Sequence, residues 1–354
     1  YIDFLNREPD PSGYQFWINQ ITSCNGDPQC VELKRINVSA AFFLSNEFNE
    51  TGLLAYLTNR AAFGNLSPPN APVPLTYNQF VNDAQALQKN YVFGAPGADA
   101  QLEANKQAYF DEFVTRPQFV SKYGSLSNRN YVDTLMATAG IGQTTAELYL
   151  AKLTGAQVVP GNASPATGLV ILRQAFSGLS ASVSMSFSGL SSAETAAHLH
   201  GPAAANANAP SIANFPNGQF VNFPIALTVA QANDLSNGLQ YVDVHTANFP
   251  NGEIRAQLPP NRFVRDVIVS ALDDGIITRA QALRLVAESE SLKKSEFNRA
   301  FVALEYFGYL RRDPDAPGYN FWLTKLNQFN GDYIAAEMVK AFISSSEYRQ
   351  RFGP

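Results

Sequence analysis

The three histidines of the chain all stand in two short segments, Ala196-Ala-His-Leu-His200 and Tyr241-Val-Asp-Val-His245. Alternate residues of an extended strand face the same side, so His198 and His200 point one way together, as do Asp243 and His245. If the two strands finish at the same end of a sheet, three imidazoles meet on one face. With Asp243 or water as a fourth ligand, such a set suits copper or zinc, and copper(II) leads in intrinsic affinity. The plainer alternative has these rings hydrogen-bonded to strand-end turns beside Glu253 and Arg255.

Two cysteines offer a second chemistry. Cys24-Asn-Gly-Asp-Pro-Gln-Cys30 places two turn-forming pairs between the thiols. A tight turn brings such cysteines within disulfide range, and closing the loop stabilises by roughly 2 kcal/mol. No further cysteine exists to complete a thiolate metal site. A Cys24–Cys30 disulfide is therefore expected, and with it an oxidising compartment. The chain shows neither an initiator Met nor a signal peptide, so a processed or truncated secreted chain is expected.

Signatures of catalysis are missing. There is no nucleophile elbow, no Gly-rich phosphate loop and no His-Glu-x-x-His, so no catalytic residue is assigned and no enzyme is expected. Lys and Arg number 25 against 30 Asp and Glu, with no basic cluster beyond Arg311-Arg312, which argues against a nucleic-acid partner. No apolar run reaches the roughly 20 residues that span a bilayer. Charged residues make up only 16% of the 354, yet 45% are hydrophobic and 12% aromatic, enough for real cores. An uncharged polar surface over such cores fits a folded extracellular protein better than a disordered one.

The elements that must carry these residues fall into two kinds. Tyr1-Ile-Asp-Phe-Leu-Asn-Arg-Glu-Pro-Asp-Pro-Ser-Gly-Tyr-Gln-Phe-Trp17 recurs 305 positions later as Tyr306 to Trp322, with nine of seventeen positions identical. Both copies end in a related segment, Phe42-Phe-Leu-Ser-Asn-Glu-Phe48 and Phe342-Ile-Ser-Ser-Ser-Glu-Tyr348, and Phe113-Val-Thr-Arg-Pro-Gln-Phe119 is a degenerate form. Apolar spacings of three and four predict helices: Phe297, Phe301, Leu304, Phe307 and Leu310 on one, Phe321, Trp322, Leu326 and Phe329 on the next, then Ala336, Val339, Phe342 and Ile343. Glu8, Asp10 and Gly13, and likewise Asp313, Asp315 and Gly318, raise the thought of calcium. An Asp ahead of a helix is more often a cap, which is the expectation here.

The repeat core, Leu5 to Trp17 and Leu310 to Trp322, resembles a helical repeat family of unknown function found in secreted bacterial proteins and distantly akin to phycobilisome linker domains. The resemblance covers about residues 1–146 and 262–354. It implies a cell-surface setting and an adhesive or scaffolding role, with no catalytic residues.

Between them, over residues 147–261, the period changes to two. Val183, Met185 and Phe187 alternate with serines, Tyr241 to Thr246 and Glu253 to Leu258 alternate too, and glycines such as Gly155, Gly168, Gly189 and Gly218 punctuate the stretch. An antiparallel sandwich or barrel is predicted, with one helical turn at Thr228–Leu235. Leu153-Thr-Gly-Ala-Gln-Val-Val-Pro160, Ala196 to Pro202 and Tyr241 to Leu258 resemble a chordin-type (CHRD) domain, departing from it at Ala256, where the family has Gly. That resemblance implies an immunoglobulin-like or superoxide-dismutase-like Greek-key sandwich inserted into the helical domain, an α+β multidomain chain. The His-x-His spacing resembles the copper strand of superoxide dismutase, but a full dismutase site needs more histidines than three.

The expected function is that of an extracellular structural or interaction protein: a cell-surface scaffold, adhesin or filament subunit. A copper- or zinc-binding module is the alternative. The N-terminal copy begins inside the helix that opens its C-terminal counterpart. Phe4, Leu5 and Phe16 are therefore expected to lie uncovered and to form an interface in a homo-oligomer or filament.

Overall fold

The computed structural model describes Leu5 and residues 7–142, 148–174, 179–260 and 264–352. Phe4 lies outside the described residues, as do the domain boundaries expected at 146/147 and 261/262. Two compact units result. One is helical, Tyr1–Ser125 with Thr134–Ile141 and Leu283–Pro354; the other, Leu126–Asp133 with Gly142–Ala282, holds all the strands. The chain is thus an α+β protein whose β unit interrupts the sequence of the helical one.

In the helical unit the two repeat copies are built from the same contacts. Asp10 caps helix Pro11–Thr22 by accepting from the Gly13 N–H at 2.7 Å, and Asp315 caps helix Ala316–Gln328 through the Gly318 N–H at 2.8 Å. One acid of each pair, Asp10 and Asp315, is spent on capping, as expected, while Asp313 accepts from the Tyr77 N–H. Trp17 packs on Phe42 with ring centroids 5.3 Å apart, and Trp322 on Phe342 at 5.6 Å. Ser45 and Ser345 then cap the closing helices through the Phe48 and Tyr348 N–H groups, each at 3.1 Å. Arg7 forks onto Glu47 and Arg312 onto Glu347, each through Nε and Nη2. The Gly of the motif has a visible reason in the second copy: a Cβ on Gly318 would meet the Tyr306 hydroxyl at 2.4 Å. Cys24 and Cys30 form the expected disulfide, joining the end of Pro11–Thr22 to helix Pro28–Phe43.

Four expectations about side-chain exposure need correction. Leu5 is only 3% exposed, so it is core rather than uncovered surface; Phe16 is 54% exposed. Phe297, Phe321 and Phe329 were expected on buried stripes but stand 39%, 60% and 42% exposed. On helix Glu290–Glu305 an inward position goes to Glu296, whose Oε1 accepts from Arg60 Nε at 2.9 Å, and a π-helical turn, Tyr306–Leu310, then breaks the α period. On Ala316–Gln328 the buried positions are Tyr319 and Leu326. The closing stripe holds for Ala336, Val339 and Phe342. Among the described residues no helix is long and apolar enough to cross a membrane.

The strands of the second unit form one antiparallel sheet, eight among the described residues: β1 Leu148–Thr154, β2 Thr167–Gln174, β3 Ser180–Ser188, β4 Glu194–His200, β5 Ser211–Asn214, β6 Phe220–Ala226, β7 Tyr241–Thr246 and β8 Ile254–Gln257. Their order is β5-β4-β7-β8-β1-β2-β3-β6. Both halves of that order contribute inward residues to one core: Ala197, Leu199, Val242, Val244, Ile254 and Ala256 from one, Leu153, Val170, Leu172, Val183, Met185 and Ile225 from the other. The sheet therefore curls around its core like a sandwich whose halves stay joined, a near-barrel. Helix Val229–Ser236 supplies the single helical turn expected there, opened by a Thr228–Gln231 capping box.

Candidate metal centre

Strand alternation decides where the histidines go. With Ala197 and Leu199 of β4 and Val242 and Val244 of β7 in the core, His198, His200, Tyr241, Asp243 and His245 must face outward. β4 and β7 are hydrogen-bonded neighbours, with His198 opposite Asp243 and His200 opposite Tyr241. Cross-strand neighbours on one face lie within side-chain reach, so pairing alone gathers the cluster. Arg255 of β8 stands opposite Asp243 on the other side. The chain between β4 and β5 lies against this face, with its Ala209 carbonyl on His200 and its Asn208 amide on Arg255.

One ligand atom from each of His198, His200, His245 and Asp243 lies within 4.8 Å of all the others. His200 Nε2 and His245 Nε2 are each 3.0 Å from Asp243 Oδ1, and His198 Nδ1 is 3.7 Å from the same oxygen. Metal donors sit about 2 Å from a zinc or copper ion, hence up to about 4 Å from one another, so a small inward shift of these rings completes a site.

The second ring nitrogens set what the Nε2 atoms can hold. His200 Nδ1 donates to the Ala209 carbonyl and His245 Nδ1 to the Pro250 carbonyl, both at 2.9 Å. A neutral imidazole carries one N–H. With that hydrogen on the carbonyl, each Nε2 faces the carboxylate with a lone pair unless a metal ion or a second ring proton lies between them; the second proton turns the contact into a hydrogen bond to Asp243. Carbonyls behind ligand histidines are the usual means of fixing tautomer and ring orientation. His198 Nδ1 adds to this: it is buried and, among the described residues, has no hydrogen-bond partner. Burial lowers the pKa of His198, keeping it in its neutral, ligating form, whereas the Asp243 hydrogen bond raises that of His245. Burial pushes the Asp243 carboxyl up, but hydrogen bonds from His200 and His245 outweigh it and hold the group at about 2.

The hydrogen-bonded alternative is thus present as well, since two of the rings do hold loop carbonyls. Glu253, however, takes no part: it accepts from Ser164, Ser191 and Thr246 and ties three loops together. Sequence reasoning missed the Ala209 and Pro250 carbonyls, which carry no side-chain signal. It also missed a stack behind His200, whose ring lies parallel to that of Tyr241 at 4.7 Å, with the Arg255 guanidinium 3.5 Å from the Tyr241 ring centre. Alternation along Tyr241-Val-Asp-Val-His245 was the available cue for Tyr241.

The domain that holds this cluster is of a known class: residues 149–258 match the model of the CHRD domain. Residues 280–352, which include the C-terminal repeat copy, match a domain of unknown function, DUF4214. No curated protein and no solved structure matches the chain.

Proposed function

We propose that this is an extracellular scaffold protein whose CHRD domain binds copper or zinc through His198, His200, His245 and Asp243. The observation that carries the reading is the pair of imidazoles, His200 and His245, each held by a carbonyl on Nδ1 and each turning Nε2 towards one carboxylate oxygen. The role is binding rather than catalysis, and the disulfide and the CHRD domain both fit a secreted or cell-surface setting. Elemental analysis of the purified protein, with zinc(II) and copper(II) titrations of the wild type and His200→Ala, tests it. Stoichiometric binding that weakens at least tenfold in the variant is expected; no binding, or equal binding, overturns the reading.

A second reading, self-association into an oligomer or filament, is supported by a different observation. Phe16 and Phe321 occupy equivalent positions of the two repeat copies and are 54% and 60% exposed, each edge-on to its neighbouring Trp at 4.8 and 5.0 Å. Exposure of the same large apolar side chain twice fits a surface kept for contact. Kinship of the helical repeat with phycobilisome linkers, and a bacterial origin, belong to this reading. Light scattering at micromolar concentration decides it: a concentration-independent 38.6 kDa monomer overturns it, and assembly lost in a Phe16→Asp, Phe321→Asp double variant supports it.

A further inference from the structure

We propose, resting on the metal reading above, that Arg255 biases the centre towards monovalent copper by holding a fixed positive charge behind the ligand His200. Arg255 is 2% exposed, and among the described residues no carboxylate pairs with it. Its Nη atoms donate to neutral acceptors, Asn208 Oδ1 at 3.1 Å, Gln257 Oε1 at 2.9 Å and the Ala204 carbonyl at 3.5 Å, and among the described residues its Nε has no partner. A guanidinium does not lose its proton in a protein, so the charge stays.

Its position sets what that charge acts on. β7 lies between β4 and β8, so the Tyr241 ring stands between His200 on one neighbour and Arg255 on the other. The ring keeps the cation from contacting the ligand while leaving it close, and the Tyr241 hydroxyl and the Ala209 amide N–H fix its orientation at 3.1 Å. Asp243 faces Arg255 across the β7–β8 ladder, so part of its field is spent on the guanidinium rather than on the ion. A copper(I) ion meets one unit of repulsion from Arg255 where zinc(II) or copper(II) meets two. At a separation of about 10 Å and an effective dielectric near 20, one unit of charge corresponds to roughly tenfold in affinity. Three neutral imidazoles suffice for copper(I), which tolerates low coordination numbers, whereas a divalent ion leans on the single carboxylate.

The test compares zinc(II) and copper(I) affinities by chelator competition, the copper arm under ascorbate, in the wild type, Arg255→Gln and Arg255→Lys. Arg255→Gln should bind zinc(II) more tightly and raise the zinc(II)-to-copper(I) affinity ratio about tenfold, while Arg255→Lys keeps the wild-type ratio. A merely structural Arg255 would instead weaken zinc(II) binding on removal. Should Arg255→Gln fail to fold, Asn208→Asp neutralises the guanidinium from an exposed position and should move the ratio the same way. An unchanged ratio in the folded charge-removing variant, or a Lys variant shifted as far as Gln, overturns this inference and leaves the metal site standing. A wild type that binds neither ion removes both.

Discussion

Arg7 grips Glu47 across 40 positions of chain with two parallel hydrogen bonds, Nε to Oε1 at 2.6 Å and Nη2 to Oε2 at 2.9 Å. The same fork recurs between Arg312 and Glu347 at 2.8 and 3.1 Å, across 35 positions. This is the physical content of the Arg and Glu that recur in the two copies: each repeat is closed by a bidentate pair. The two pairs differ in exposure. Side chains of the first are 16% and 6% exposed, those of the second 38% and 37%. Arg7→Ala leaves the buried Glu47 carboxylate, which also accepts from the Gln88 amide, without its cation, and a loss of about 2–3 kcal/mol is expected. Arg312→Ala should cost under about 1 kcal/mol. Urea unfolding followed by helical circular dichroism measures both, and equal losses would refute the ranking.

His198 separates ligand from scaffold. Its buried Nδ1 makes no hydrogen bond among the described residues and stands 3.7 Å from Asp243 Oδ1, so His198→Ala removes from the metal-free protein only that long contact and its partial packing. Metal-free stability should change by less than about 1 kcal/mol, while zinc(II) affinity falls roughly 10- to 100-fold. Thermal melts with and without zinc(II) report both: the rise in Tm given to the wild type by excess metal should shrink in the variant. A variant that keeps the full rise shows that His198 is no ligand.

Glu305 supplies a pH-dependent test in the helical unit. It is fully buried, and among the described residues neither carboxyl oxygen has a hydrogen-bond partner. Burial holds its pKa well above the ordinary 4.5, so the folded state binds this proton more tightly than the unfolded one. The resulting contribution is fully present below pH 4.5 and is lost as pH rises towards the folded-state value. Glu305→Met should therefore stabilise, by roughly 1–3 kcal/mol at pH 8 and by less at pH 5. Unfolding midpoints of the two proteins at both pH values check this; a gain independent of pH would show that Glu305 is not the titrating group.

The Cys24–Cys30 bridge closes a short loop, so its contribution is modest. Thiol labelling without reductant should give no adduct, and the Cys24→Ser, Cys30→Ser double variant should lose roughly 2 kcal/mol. Two labelled thiols in native material would remove the main argument for an oxidising compartment.

Much of this architecture can be read from residue order because it follows local rules. Asp10 and Asp315 read as caps and act as caps; serine alternation marks β3; a Thr-x-x-Gln box marks the helix at Val229–Ser236. The histidines read as one cluster because a period of two fixes their face. Elsewhere the local rules mislead. An uninterrupted 3.6-residue period puts Phe297 and Phe321 inside, but Glu296 takes an inward position to meet Arg60, and nothing in the periodicity signals the π turn at Tyr306–Leu310. The carbonyls of Ala209 and Pro250 depend on loop paths fixed by distant partners, among them Arg255 holding Asn208 and Ala204.

The two repeat copies reach the same Trp–Phe and Arg–Glu contacts with different lengths of chain. Trp17 and Trp322 are 305 apart in number, Phe42 and Phe342 only 300, so the first copy accommodates five extra residues between these landmarks, in the stretch that holds the disulfide. Closure of the repeat is therefore indifferent to what runs between its two anchor points. That makes residues 25–29 a natural grafting position: an epitope or affinity sequence spliced into the turn would be displayed at the surface, with the crosslink as its base and the anchors undisturbed.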